Sequence, residues 1–140
     1  MKTPQITERT LLIDATDAPL GRLASFAAKQ ALLAKSIIIT NCNNAIISGE
    51  KSSIVRSYKK ERARGGSSLK GPNISKMPQK IVKRTIRGML PYKEGRGAIA
   101  LKNVICYNET PEEYKNANKV TLKKIFHSKT LQLKELSRIV

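Results

Sequence analysis

TLLIDATDAPLGRLASFAAKQALLAKSIIITNC, from Thr10 to Cys42, decides the fold of this chain. Thr10 to Asp14 reads as a buried strand. Asp17 and Pro19 then predict a helix start, because a carboxylate caps free amides and proline is tolerated in a first turn. From about Leu20 to Leu33, the residues Leu20, Leu23, Ala24, Ala27, Ala28 and Ala31 recur at helical spacing, and the alanines let such a helix sit close to a sheet. Arg22, Ser25 and Lys29 fall on its other side. Ile37 to Cys42 opens with three aliphatic residues, as expected of a strand covered on both faces. Strand, helix and strand within about thirty residues make a parallel crossover unit, so the fold class is α/β.

Working outward, Asn43, Asn44, Ser48 and Gly49 mark turns around the short apolar pair Ile46 and Ile47. Ser52 to Arg64 reads as a basic helix or arm, and Gly65, Gly66, Ser67, Ser68, Gly71 and Pro72 as a mobile loop. A short helix around Gly97 to Leu101 precedes a third strand, Asn103 to Tyr107. Pro111 to Asn116 allows one or two helical turns. Leu131 to Val140 predicts a final helix whose Leu133, Leu136 and Val140 share one face, which docks onto the body or, as the alternative, onto a protein partner. With 140 residues and no repeat, the chain is expected to be a single domain, 1–140, carrying a basic arm and loop around 51–97.

Charge sets the partner. The stretch from Lys51 to Arg96 holds fourteen of the 27 Lys and Arg but two of the 10 Asp and Glu, and so carries +12 of the net +17. Such an imbalance opposes compaction and attracts polyanions at long range, and nucleic acid is the polyanion best able to absorb it. Apolar residues at 40% exclude a wholly disordered tail. The N-terminal MKTPQITERT lacks the apolar run of a secretory signal, and no run of about 20 apolar residues suggests a membrane span. Cys42 and Cys106, in IIITNC and NVICYN, read as small buried strand side chains and reduced thiols. With the lone His127 they supply too few ligands for a metal.

The sharpest local signal is Ser75 to Pro91. Ser75 suits a helix cap, Pro78 a first turn, Gly88 a left-handed closing residue, and Pro91 a stop. Met77, Ile81, Val82, Thr85, Ile86 and Met89 share one face, whereas Lys80, Lys83, Arg84 and Arg87 fall in an opposite stripe rising about 10 Å at roughly 1.5 Å per residue. Solvated helix faces ordinarily mix signs, because like charges three or four residues apart oppose the helix. This stripe contains no acid, which points to phosphate. Further candidates are Lys51, Arg56, Lys59, Lys60, Arg62, Arg64, Lys70 and Lys76 in the arm, and Lys93 and Arg96 in PYKEGRG. Tyr92 there is placed either to stack on a base or simply to pack. With aromatics at 4%, recognition is expected through phosphates and RNA shape, not base stacking.

Enzyme readings fare poorly. The first strand-to-helix turn, DATDAPLGR, lacks the glycines that admit a pyrophosphate, and in Gly49-Glu50-Lys51-Ser52 a carboxylate intrudes on what resembles a phosphate loop. His127 with either cysteine forms a nucleophile pair only through tertiary contact.

GRLAS (Gly21 to Ser25), NNAIISGEK (Asn43 to Lys51) and above all RTIRGMLPYKEGRG (Arg84 to Gly97) resemble the thirteenth-protein family of the large ribosomal subunit, in its archaeal and eukaryotic branch. The resemblance runs in order over nearly the whole chain. It implies a three-layer α/β/α domain with a central, mainly parallel sheet of about four strands, bound to large-subunit ribosomal RNA and active in subunit assembly. By position it implies RNA contacts at Arg84, Arg87, Lys93 and Arg96, then Arg22 and Lys51, on a surface shaped by Gly88, Pro91 and Gly97. Asn73, Ile74 and Ser75 depart from the aromatic or basic residues the family pattern leads one to expect there. The absence of the long C-terminal extension of many eukaryotic relatives points to the archaeal type. The expected function is therefore that of a cytoplasmic structural constituent of the large subunit, neither enzyme nor membrane protein. Its partners would be large-subunit rRNA and neighbouring ribosomal proteins, with no cofactor, metal or small-molecule substrate. The alternative is an RNA- or DNA-binding regulator acting off the ribosome.

Overall fold

The computed structural model describes residues 9–64, 70–123 and 128–140. Strand β1 (Thr10–Asp14) leads through helix α1 (Leu20–Leu32) to β2 (Ser36–Thr40), a 3-10 turn (Cys42–Asn44), strand β3 (Ile46–Ser48) and helix α2 (Lys51–Arg62). Helices α3 (Pro78–Gly88) and α4 (Gly95–Lys102), strand β4 (Val104–Cys106) and a second 3-10 turn (Glu112–Tyr114) follow. Strands β5 (Val120–Thr121) and β6 (Thr130–Gln132) and helix α5 (Leu133–Ile139) complete the order.

The main sheet runs β4-β2-β1-β5, with every pairing parallel. Its register sets Leu12 beside Ile38, Ile13 beside Ile39, and Ile37 beside Val104. Because successive strand residues face opposite ways, Ile13, Ile37, Ile39 and Val104 enter the major core. There they meet the stripe Leu20, Leu23, Ala24, Ala27, Ala28 and Ala31 of α1, together with Ile81, Val82 and Ile86 of α3 and Leu133 and Leu136 of α5. Leu12 and Ile38 face the other way, onto Tyr114 of the second 3-10 turn, with Tyr107 and Ala117 beside it. Strand β2 is thus covered on both sides, which explains its unbroken aliphatic run.

Several local expectations are corrected by tertiary contacts. Asp17 does not cap α1; it bends left-handed at φ 54°, and the capping position is taken by extended Pro19, whose carbonyl accepts from the Leu23 amide at 2.9 Å. Strand β2 stops at Thr40 because Asn41 is left-handed, so buried Cys42 lies in the 3-10 turn and not in a strand. Cys106 does lie in a strand, and both thiols are free. The Cys106 thiol and burial push the Cys42 thiol far above the usual range. Ser75 is not the cap of α3 either. Its Oγ accepts from the Met77 amide at 3.3 Å, while the Gln79 amide donates to Asn108 Oδ1 at 3.0 Å, a cap brought in from a distant loop.

Gly88 stays right-handed within α3, and the helix closes at Met89 with φ −97°. Met77 and Met89, assigned to the apolar face, are 48% and 44% exposed because they lie beyond the helix ends. Leu131 belongs to β6, which pairs antiparallel with β3. The pair Ile46 and Ile47 is therefore strand, and Ser48, read as a turn residue, ends that strand; three-residue strands are too short to show periodicity. Gly65, Gly66, Ser67, Ser68 and His127 lie outside the described residues.

Candidate nucleic-acid interface

Helix α3 separates its two faces cleanly. Ile81, Val82 and Ile86 are buried beneath it, and Lys80, Lys83, Arg84 and Arg87 stand on the other side, Lys80 and Arg84 exposed and the other two half-buried. The hydrophobic cost of exposing the inner face fixes the helix rotation, and the rotation aims the four cations. They line one open groove of about 310 Å³, whose remaining wall is formed by Asn73, Ser75 and Leu101. Asn73 and Ser75 are two of the residues that depart from the family pattern, so the groove is polar where a basic or aromatic wall was expected. No Asp or Glu lines it.

Tyr92 is held, not free. The Arg87 guanidinium carbon lies 5.2 Å from the centre of its ring, a cation–π arrangement that occupies one ring face and leaves the residue 41% exposed. The loop behind it turns tightly, with the Tyr92 amide donating to the Leu90 carbonyl at 2.8 Å and the Glu94 amide to the Pro91 carbonyl at 3.0 Å. Gly97 is indispensable to that turn: a Cβ there would sit 2.0 Å from the Pro91 carbonyl oxygen. Lys93 and Arg96 project from this loop and the start of α4, both exposed. Arg96 lines a separate depression between α1 and α4, apart from the α3 groove.

The arm residues divide. Arg56, Lys59 and Lys60 are exposed along α2, and Arg64, Lys70 and Lys76 along the segments that follow. Arg22 is exposed on the first turn of α1. Lys51, by contrast, pairs with Glu135 of α5. Arg62 donates through Nε to the Ile74 carbonyl at 3.3 Å and through Nη1 to the Val140 carbonyl, tying α2 to the segment before α3 and to the end of α5. Both have internal work, which charge counting missed because their partners are remote in sequence. A second groove, of about 200 Å³, joins Tyr58 and Glu61 of α2 to Arg84 and Gly88 of α3. Arg84 therefore lies between the two basic helices.

Among the described residues the ion pairs are Lys51 with Glu135 and Lys115 with Glu112, the latter at 3.6 Å. The α3 cations thus have no internal carboxylate partner there. Nor do the described residues contain a group of three or more His, Cys, Asp or Glu able to hold a metal. No helix among them is long and apolar enough to cross a membrane.

Comparison with known proteins places the sequence. The chain is 40% identical over 133 residues to the large ribosomal subunit protein uL13 of Methanosarcina barkeri, covering 91% of this chain and 94% of that protein. It is 38% identical over 130 residues to uL13 of Methanocaldococcus jannaschii, with 91% and 94% covered. To uL13 of Picrophilus torridus it is 35% identical over 133 residues, with 93% and 96% covered. The model of the family described as Ribosomal protein L13 matches residues 8–113, which takes in the sheet strands β1, β2 and β4, helices α1 to α4 and the whole α3 groove, and so the chain belongs to that family.

Proposed function

We infer that the chain is a structural, non-enzymatic constituent of the large ribosomal subunit, held there by ribosomal RNA whose backbone lies along the α3 groove. Membership of the family carries the first part. The observation that supports the second is the convergence of Lys80, Lys83, Arg84 and Arg87 on one concavity without an acid. Guanidinium forks suit paired phosphate oxygens, and ammonium groups supply point charge along the strand. Arg56, Lys59 and Lys60 extend the positive field along α2, and Lys93 extends it beyond the C-terminal end of α3. Lys51 and Arg62, both exposed, also bond within the domain, Lys51 to Glu135 and Arg62 to the Ile74 and Val140 carbonyls. Tyr92 orients Arg87 and so acts on RNA through it.

Sedimentation tests the reading. The wild-type chain should remain with large subunits through a moderate salt wash. A Lys80→Glu, Arg84→Glu, Arg87→Glu variant should be released while retaining its helical circular dichroism and cooperative unfolding. Retention of the folded variant would remove the groove as the RNA contact. Release of the wild type into a free pool would favour a regulator acting off the ribosome.

A further inference from the structure

A second surface, on the α1–α4 side of the domain, has a different chemistry. Leu32, Ala34 and Ile99 line a depression of about 110 Å³ between the end of α1 and α4, with Arg96 and Asn103 at its margin. Ile99 is 62% exposed, and Leu33, next to Leu32, is 59% exposed; these are the two most exposed large aliphatic side chains among the described residues. Ile99 is flanked on its own helix face by Arg96 three residues before and Lys102 three residues after, both exposed. Ala34 is left-handed at φ 60°, in a helix-closing turn where the Lys35 amide reaches back to the Gln30 carbonyl at 3.4 Å. Glycine is the residue that fits that backbone without strain, yet here a methyl is retained, and it lines the depression.

Phosphate has no use for exposed aliphatic surface, whereas an apolar side chain flanked by carboxylates satisfies both the aliphatic floor and the cationic margin. We propose that this depression docks a segment of a neighbouring large-subunit protein that inserts an aliphatic or aromatic side chain flanked by Asp or Glu. The proposal rests on the chain being a constituent of the large subunit. It moves Arg96 from the RNA surface to a protein contact.

Photo-crosslinking within assembled large subunits decides it. With Ile99→benzoylphenylalanine, the adduct should fall on a second protein, at an apolar residue next to carboxylates in its sequence. In Ile99→Ser subunits the captured protein should be lost about tenfold more readily in a salt wash, the change expected when one aliphatic contact is forfeited. The same variant should bind purified rRNA as the wild type does. An rRNA adduct, an adduct on a segment without carboxylates, no adduct, or unchanged retention in Ile99→Ser would each overturn the proposal while leaving the groove reading intact. A chain that fails to sediment with the subunit would overturn both.

Discussion

Gly88 and Gly97 lie nine residues apart in the family motif and answer to opposite physics. A methyl at Gly88 meets nothing within 4 Å, and the residue is helical and right-handed, so Gly88→Ala should raise stability by about 0.5 to 1 kcal/mol through reduced chain entropy. At Gly97 the same methyl would meet the Pro91 carbonyl oxygen at 2.0 Å, so Gly97→Ala should lower stability by roughly 2 to 4 kcal/mol. Urea denaturation of the two variants measures both signs. Asp14 offers a pH test. Burial pushes its carboxyl up, but hydrogen bonds from the Thr16 hydroxyl, Asn41 Nδ2 and the Thr16 amide, with the Lys119 charge, outweigh burial and hold it below its ordinary value of 3.8. A carboxyl lowered on folding contributes stability above its unfolded value and loses it as pH falls through the folded one. The stability gap between wild type and Asp14→Asn should therefore be full at pH 7 and close below pH 3.8. At this scale the sequence was informative about residue type more than geometry. That Gly97 mattered was legible in its motif, whereas the carbonyl it approaches was not.

Elements were legible in proportion to their length and periodicity. β1 and α1 were readable to within a residue or so, because six apolar positions at helical spacing between aliphatic strands leave little choice of register. The groups that cap the helices were not, because helix ends are satisfied by whatever polar group the fold brings near. For α3 that group is Asn108, whose side chain accepts from the Gln79 amide at 3.0 Å from 29 residues away. Asn108→Ala should cost about 1 kcal/mol, the usual value of a lost cap, whereas Ser75→Ala, the change suggested by sequence alone, should cost much less. Thermal melts of the two variants would rank them. Strands β3 and β6, three residues each, and β5, two residues, exist only through their pairing and could not have been found locally.

At the scale of the whole molecule, the fold converts a chain-wide excess of +17 into places with distinct duties. The α3 cations gather in a groove, Lys51 and Arg62 brace the domain, and Arg96 borders an apolar depression. The stripe on α3 was legible because helical spacing alone puts four cations on one side. The braces were not, because Glu135 and the carbonyls of Ile74 and Val140 are far away in sequence. The groove cations are proposed to meet RNA phosphates. Each neutralised phosphate releases counterions, so the logarithm of affinity falls with the logarithm of salt by roughly 0.7 to 0.9 per contact. The direct measurement is the salt dependence of binding to a large-subunit rRNA fragment by wild type and by the folded Lys80→Glu, Arg84→Glu, Arg87→Glu variant. Phosphate contact along the groove predicts a steep wild-type line and a variant slope shallower by about 2 to 3; parallel lines, or a flat wild-type response, would contradict it.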